Sequence, residues 1–301
     1  MTSFSNLQLF ATCVLIWGST WLAITFQLGK VAPEISVGYR FVTAAIVLFA
    51  YCHRRGLKLR FAPRQHVDFL AFGASMFCVS YILVYYAETY IVSGIVAVAY
   101  SASPLLNMLM ARVLFATPMT MRVATGAMFG LFGIVCVFWH EFASLSTSRN
   151  AALGAVLTLL SVVLSSAGSM AATRIQMRGY SIWSSMAWGM LYGGVLALVI
   201  GTVLGHPFTF ELTAGYIGSL VYLAIFGSVI TFACYLTLMA RIGVARAAYV
   251  GVMVPIVALT VSFFFEQFAW GWLTTLGVAL SVTGNIVILR GKSEQGIKHP
   301  D

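Results

Sequence analysis

Arg40 stands in the stretch VGYRFVTAA, inside an apolar run at 35–53 that is long enough to cross a bilayer. Crossing takes about 20 apolar residues. A guanidinium at the bilayer centre costs about 2.5–3.5 kcal/mol by insertion scales, so such a group faces the bundle interior or water. Two chemistries are open to it. It can pair with the carboxylate of a bound solute, or it can hydrogen-bond to helix-end carbonyls. Lying about two turns from the end of its helix, it is also within snorkelling reach of the interface.

The other chemistry-bearing side chains within apolar runs are aromatic rings and hydroxyls. Trp17, Tyr81, Tyr85, Tyr100, Trp188, Tyr192 and Tyr249 are joined by Ser103, Ser165 and Ser169. Tyr81 and Tyr85 are four apart, as are Trp17 and Trp21, so each pair shares a helix face. Rings and hydroxyls together suit an amphiphilic or zwitterionic solute. The candidate cavity residues are therefore Trp17, Tyr81, Tyr85, Tyr100, Ser103, Trp188, Tyr192 and Tyr249, with Tyr100, Trp17 and Tyr192 the deepest. The competing role is packing, or an interfacial belt near span ends, where Trp270 and Trp272 fall.

Pro104 in VAYSASPLLNML and Pro255 in YVGVMVPIVALT sit in the middle of apolar runs, 151 residues apart. A mid-helix proline removes a hydrogen bond and costs ~3 kcal/mol or more in an ordinary helix. In a membrane this is tolerated against protein, polar side chains or a watery cavity. The pair is expected to bend two equivalent helices and to shape a cavity and its gates.

Enzymatic signatures are missing: the sequence has no HExxH, GxSxG or GxxxxGK[ST] motif. Catalytic residues and cofactors are accordingly expected to be none. The five cysteines and five histidines show no metal-ligand spacing, so no metal site is expected. No Asp, Glu or Lys is expected deep in any span, which argues against a proton-carrying carboxylate in the first helix and against phosphorylated solutes.

The elements that must position these groups follow from composition. Hydrophobic residues make up 60% of the 301-residue chain and charged residues 8%, with mean hydropathy +0.94. Soluble domains carry roughly 25% charged residues. Continuous apolar runs exclude a β-barrel, which alternates apolar and polar positions. Ten spans are expected, at 8–29, 35–53, 68–88, 91–114, 122–140, 151–173, 181–204, 213–238, 244–265 and 270–290. The fold class is an all-α membrane protein. The run at 8–29 lacks a basic flank and a cleavage site, so it reads as a span and not a signal peptide.

Basic residues fix the direction. Arg54, Arg55, Lys58, Arg60, Arg64, Arg112, Arg122, Arg174, Arg178, Arg241, Arg246, Arg290, Lys292 and Lys298 fall in alternate loops and the tail. Glu34, Glu88, Glu141, Glu211 and Glu266 fall in the others. Both termini are thus expected in the cytoplasm. The net charge of +9 is a topology signal, and no nucleic-acid partner is implied.

A shift of 151 residues superposes Pro104 on Pro255, Gly126 on Gly277 and Gly133 on Gly284. Five spans per copy is an odd number, so the second copy starts on the opposite side of the membrane. The division is 1–145 and 146–290, followed by a tail at 291–301. Inverted repeats around a midplane site mark secondary transporters. Gly126, Gly130 and Gly133, with Gly277, Ser281 and Gly284, form small-residue faces suited to close helix contact, within a monomer or across a homodimer.

LIWGSTWLAI at 15–24, Pro33 followed by YRF at 39–41, the proline at 104 and the Gly126/Gly133 helix together resemble the EamA family of the drug/metabolite transporter superfamily. The resemblance spans the chain. It implies ten helices in two inverted halves in the bacterial cytoplasmic membrane, and commonly export of amino acids or related metabolites. The branch exporting aromatic amino acids is the preferred analogy. Family members often carry a glutamate just after the proline-containing helix of each half. Glu266 matches it, whereas the first half has Phe115-Ala116-Thr117 there.

The expected function is export of amino acids, aromatic and other neutral ones included, by alternating access. The partners are a small-molecule solute and the lipid bilayer. The alternatives are a multidrug or organic-cation exporter, favoured by cation–π attraction, and a membrane interaction protein without transport. Labelling with a membrane-impermeant thiol reagent should find cysteines placed at the two chain ends on the same, cytoplasmic face. Opposite faces would remove the inverted arrangement.

Overall fold

The computed structural model describes residues 4–115, 121–137, 139, 149–242, 249–267 and 270–289. Among them the secondary structure is helical, without strands. The helices are α1 (Asn6–Thr25), α2 (Pro33–Arg54), α3 (Pro63–Ala87), α4 (Ser93–Tyr100), α5 (Ser103–Phe115), α6 (Met121–Val137), α7 (Arg149–Met177), α8 (Ile182–Val203), α9 (214–242), α10 (Tyr249–Phe265) and α11 (Trp272–Leu289). Six of them, α1, α2, α3, α7, α8 and α9, are long and apolar enough to cross a membrane. Their outward surface is what lipid requires: Leu7, Leu15, Ile46, Val199 and Val203 are all exposed. The tail at 291–301 and its basic residues lie outside the described residues.

Local sequence sets the helix starts. Ser5 caps α1 in a reciprocal box, its hydroxyl accepting from the Gln8 N–H while its own N–H donates to Gln8 Oε1 at 2.8 Å. Pro33 and Pro63 open α2 and α3, where a missing N–H costs nothing.

Pro104 departs from the expected mid-helix kink. The apolar run divides into α4 and α5 around a turn at Ser101 and Ala102, and Pro104 is the second residue of α5. At a helix start its ring preorganises the backbone, and the N–H it lacks would have had no intrahelical acceptor. Pro255, by contrast, stays inside the continuous α10. The two prolines share a sequence register but do different structural work.

Other features do recur at the 151-residue interval. α6 begins at Met121 and α11 at Trp272. α3 contains a π-helical segment at Gly73–Val79, and α9 contains one at Tyr222–Ile230. In the second, the hydroxyls of Ser228 and Thr231 donate to the carbonyls of Leu223 and Phe226, five residues back. A widened turn with such bonds bends a helix locally and is common near functional sites.

Packing follows the same interval. α2 lies against α8, α6 against α11, α1 against α10 and α9, and α7 against α3 and α5. Exchanging the two copies maps α2–α8 and α6–α11 onto themselves and exchanges the contacts of α1 with those of α7. Glycines permit the closest crossings. A β-carbon on Gly277 would come within 2.6 Å of the Gly133 carbonyl, and one on Gly284 within 2.5 Å of the Gly126 carbonyl. The small-residue faces are therefore used within the chain. α8 meets α2 and α3 in the same way: a β-carbon on Gly73 would lie 2.3 Å from the Gly189 carbonyl.

Backbone cannot yield as a side-chain tip can, so Gly133→Val and Gly277→Val should each cost about 1–3 kcal/mol or more by overpacking. The melting temperature of detergent-purified protein should fall for both, while Gly130→Ala, which meets open space, should leave it unchanged.

Candidate functional site

A cavity of about 250 Å³ lies within the bundle. α1 supplies Trp17, Thr20, Trp21 and Ile24, and α2 supplies Arg40. Met76 and Tyr81 come from α3, Ala97 and Tyr100 from α4, and Ser101 from the turn after it. Ser165 of α7, Phe232 of α9, and Gly251, Val254 and Pro255 of α10 complete the wall. Both halves of the chain contribute, with α1, α2, α3 and α4 from the first and α7, α9 and α10 from the second.

The π-helical segments and the α4–α5 break place the wall. Phe232 lies two residues beyond the widened turn of α9, and Met76 lies within that of α3. Trp17 is held by a hydrogen bond from Nε1 to the Gly227 carbonyl at 3.2 Å, and its ring meets Phe232 edge-on at 5.2 Å. Trp21 and Tyr100 have ring centroids 4.9 Å apart.

Arg40 is almost fully buried, and its guanidinium lies 4.6 Å from the Tyr81 ring centroid and 5.0 Å from that of Phe41. Its Nε and Nη1 have no hydrogen-bond partner among the described residues, and neither has Nε1 of Trp21.

Of the residues expected to form a cavity, Trp17, Tyr81, Tyr100, Arg40 and Pro255 line it. Tyr85 does not: it is fully buried, and its hydroxyl donates to Gln27 Oε1 at 2.7 Å. Trp188 and Tyr192 lie elsewhere too. Trp188 Nε1 donates to the Leu59 carbonyl at 3.1 Å, the Tyr192 hydroxyl meets His66 Nδ1 at 2.8 Å, and the two rings stack. They fasten α8 to the loop before α3 and to the first turns of α3 itself, because the face of α8 that carries them turns that way. Ser103 is not among the lining residues, and its hydroxyl is buried without a partner. The side chains of Pro104 and Tyr249 lie outside the described residues. Sequence reasoning missed Ser101, Thr20, Met76 and Phe232 as wall residues. The spacing of Trp21 from Trp17 was a usable signal for Trp21.

Three glutamates at span ends are more buried than the sequence suggested. Glu34 accepts from the Tyr86 hydroxyl at 2.9 Å and faces His206 Nδ1 at 3.1 Å. Glu266 closes α10 onto the start of α4. Its Oε1 accepts from the Ser93 N–H at 3.2 Å, and its Oε2 from the hydroxyls of Ser93 and Ser262 at 2.6 and 2.5 Å. Ser262 Oγ accepts in turn from the Gly94 N–H at 2.9 Å. A carboxylate at a helix N-terminus also meets the positive end of the helix dipole. Glu88 is 7% exposed, neither of its oxygens has a hydrogen-bond partner among the described residues, and the charges acting on it are Glu266 and Arg40. All three lie at helix ends and not deep in a span, yet Glu34 and Glu88 are buried there. The side chains reach inward from helix ends, where hydropathy windows place them at the interface.

Glu266→Ala leaves the Ser93 N–H and two hydroxyls without an acceptor, at a cost on the order of 1–3 kcal/mol. It should lower the melting temperature more than Ser262→Ala, which removes a smaller part of the same cluster.

The chain matches the EamA-like transporter family twice, over residues 5–139 and 153–290. It is 26% identical to Protein PagO of Salmonella typhimurium over 88% of this chain and 84% of that one. It is 29% identical to the uncharacterized inner membrane transporter YedA of Escherichia coli K12, over 81% and 78% of the two chains. The uncharacterized transporter YoaV of Bacillus subtilis is 24% identical over 81% and 83%. A solved protein crystal structure at 17% identity superposes with a TM-score of 0.66, covering 94% of this chain and 96% of that one, and so shares the fold. With both halves of the sequence matched and a cavity between their helices, the chain is a membrane protein belonging to the EamA-like transporter family.

Proposed function

We propose that the protein exports amino acids, aromatic and other neutral ones included, across the cytoplasmic membrane by alternating access. Its ten spans form two inverted five-helix repeats, 1–145 and 146–290, with both termini cytoplasmic. The observation that carries this reading is the cavity. It is walled by helices of both halves, by ring faces, and by a buried guanidinium with nitrogens left free for a bound group. The two family matches and the exchange symmetry of helix contacts support the repeat.

Size supports a small cargo. Drug-sized ligands occupy pockets of roughly 300–1,000 Å³, and this cavity holds about 250 Å³. Organic cations fit less well, because Arg40 would repel them even where Tyr81 and Trp21 attract. A protein that served only as an interaction surface would have no use for such an interior. Its glycine faces are moreover spent on contacts within the chain.

The cycle needs a part that opens. The Ser93–Ser262–Glu266 cluster ties α4 to α10, two helices that both line the cavity. On the proposed topology it lies at the outer end, and its opening would release the solute outward.

Proteoliposomes holding the protein should exchange labelled phenylalanine or threonine faster than empty vesicles, and equal rates across a broad amino-acid panel would reject this cargo class. Tyr100→Ala should alter the preference between phenylalanine and threonine several-fold with folding intact. Unchanged kinetics would remove Tyr100 from the wall.

A further inference from the structure

The side chains that could recognise a polar group on the cargo differ in kind from those that could hold an ammonium. Three polar atoms of cavity-lining side chains are buried without a partner: Nε and Nη1 of Arg40, and Nε1 of Trp21. All three belong to groups that only donate. The aliphatic hydroxyls of the lining are engaged locally, with Thr20 Oγ1 donating to the Trp17 carbonyl at 2.8 Å, Ser101 Oγ to the Val98 carbonyl at 2.6 Å and Ser165 Oγ to Met76 Sδ at 3.4 Å. No Asp or Glu is among the described residues that line the cavity. Glu88 acts on Arg40 through space but makes no hydrogen bond with it. Trp17, the neighbouring indole, shows the contrast: its Nε1 already donates to the Gly227 carbonyl.

A buried cation with unpartnered donors is costly. A carboxylate on a bound molecule supplies both the charge and the acceptors, and charge-assisted bonds of this kind are roughly twice as strong as neutral ones. The rings of Tyr81, Tyr100 and Trp21 then meet the apolar part of that molecule.

We propose that the cavity recognises its cargo by the carboxylate, held by Arg40 and Trp21, and that the amino group is dispensable. The substrate class is thus amphiphilic monocarboxylates, of which neutral amino acids are one kind. This deepens the proposed transport function and rests on it for its biological meaning, but it makes a separate binding claim. It predicts that an aromatic acid without an amino group binds, and that the corresponding amine does not.

The test compares thermal stabilisation of the purified protein by phenylalanine, 3-phenylpropionate and phenethylamine. Phenylalanine and 3-phenylpropionate should both stabilise it, and phenethylamine should not. Arg40→Met should abolish both responses, with Arg40→Lys retaining part. Trp21→Phe keeps the ring and removes only the donor, so it should weaken both acids about tenfold without a change in fold, and it serves where Arg40→Met fails to fold. Stabilisation by phenethylamine equal to that by the acids overturns the proposal, as does undiminished acid binding in both Arg40→Met and Trp21→Phe. A response to phenylalanine but not to 3-phenylpropionate also overturns it, while leaving amino-acid export standing. Absence of all three responses overturns it as well. Proteoliposome exchange of amino acids, measured separately, then decides whether the transport reading falls with it.

Discussion

Inside a bilayer no polar group can rely on water, so each must find its partner within the protein. That constraint explains most of what is polar in this chain. Hydroxyls of Ser80, Thr158, Ser185 and Thr202 return their hydrogens to carbonyls of their own helices. Tyr85 is matched to Gln27, Ser36 to Tyr216, and Glu266 to two serines and a backbone N–H. Among the buried groups without a partner in the described residues, Arg40 and Trp21 stand out because both side chains line the cavity. An unsatisfied group in such a place is where a ligand gains most from binding.

Forming that hollow needs helices that touch closely in some places and part in others. Where α6 meets α11, and where α8 meets α2 and α3, glycines bring backbones nearly into contact. There is no hydrophobic drive between helices in lipid, and close van der Waals packing takes its place. Elsewhere the helices are interrupted. α3 and α9 widen into π-helical turns, and the run from Ser93 to Phe115 breaks between α4 and α5. Each interruption lies next to residues that face the cavity. The tight crossings thus form a frame, and the irregular segments form the wall.

The two proline positions illustrate how an internal repeat diverges in use. Pro104 begins a helix, and Pro255 sits within one. A shared sequence register does not by itself fix a shared geometry. The hydrogen-bonded cluster around Glu266 shows the same asymmetry. It joins the end of α10 to the start of α4, and Phe115 occupies the corresponding place in the first half.

Much was legible from the residues alone. Hydropathy and the distribution of Lys and Arg yield a helical membrane protein and an expected topology, because lipid contact constrains composition along the whole chain. The 151-residue interval, the glycine faces and Arg40 were visible for a similar reason, since a charge or a run of small residues is conspicuous in an apolar background. Azimuth and reach were not. A residue's position along a helix gives its depth but not the direction it faces, so Tyr192 counted among the deepest aromatics and Trp188 as a cavity candidate, whereas they hold α8 to His66 and to the Leu59 loop. The break before Pro104, the inward reach of Glu88 and Glu266, and the gathering of Trp21, Ser101 and Arg40 around one cavity depended on which helices became neighbours. That is decided by packing between segments far apart in sequence, and no local pattern records it.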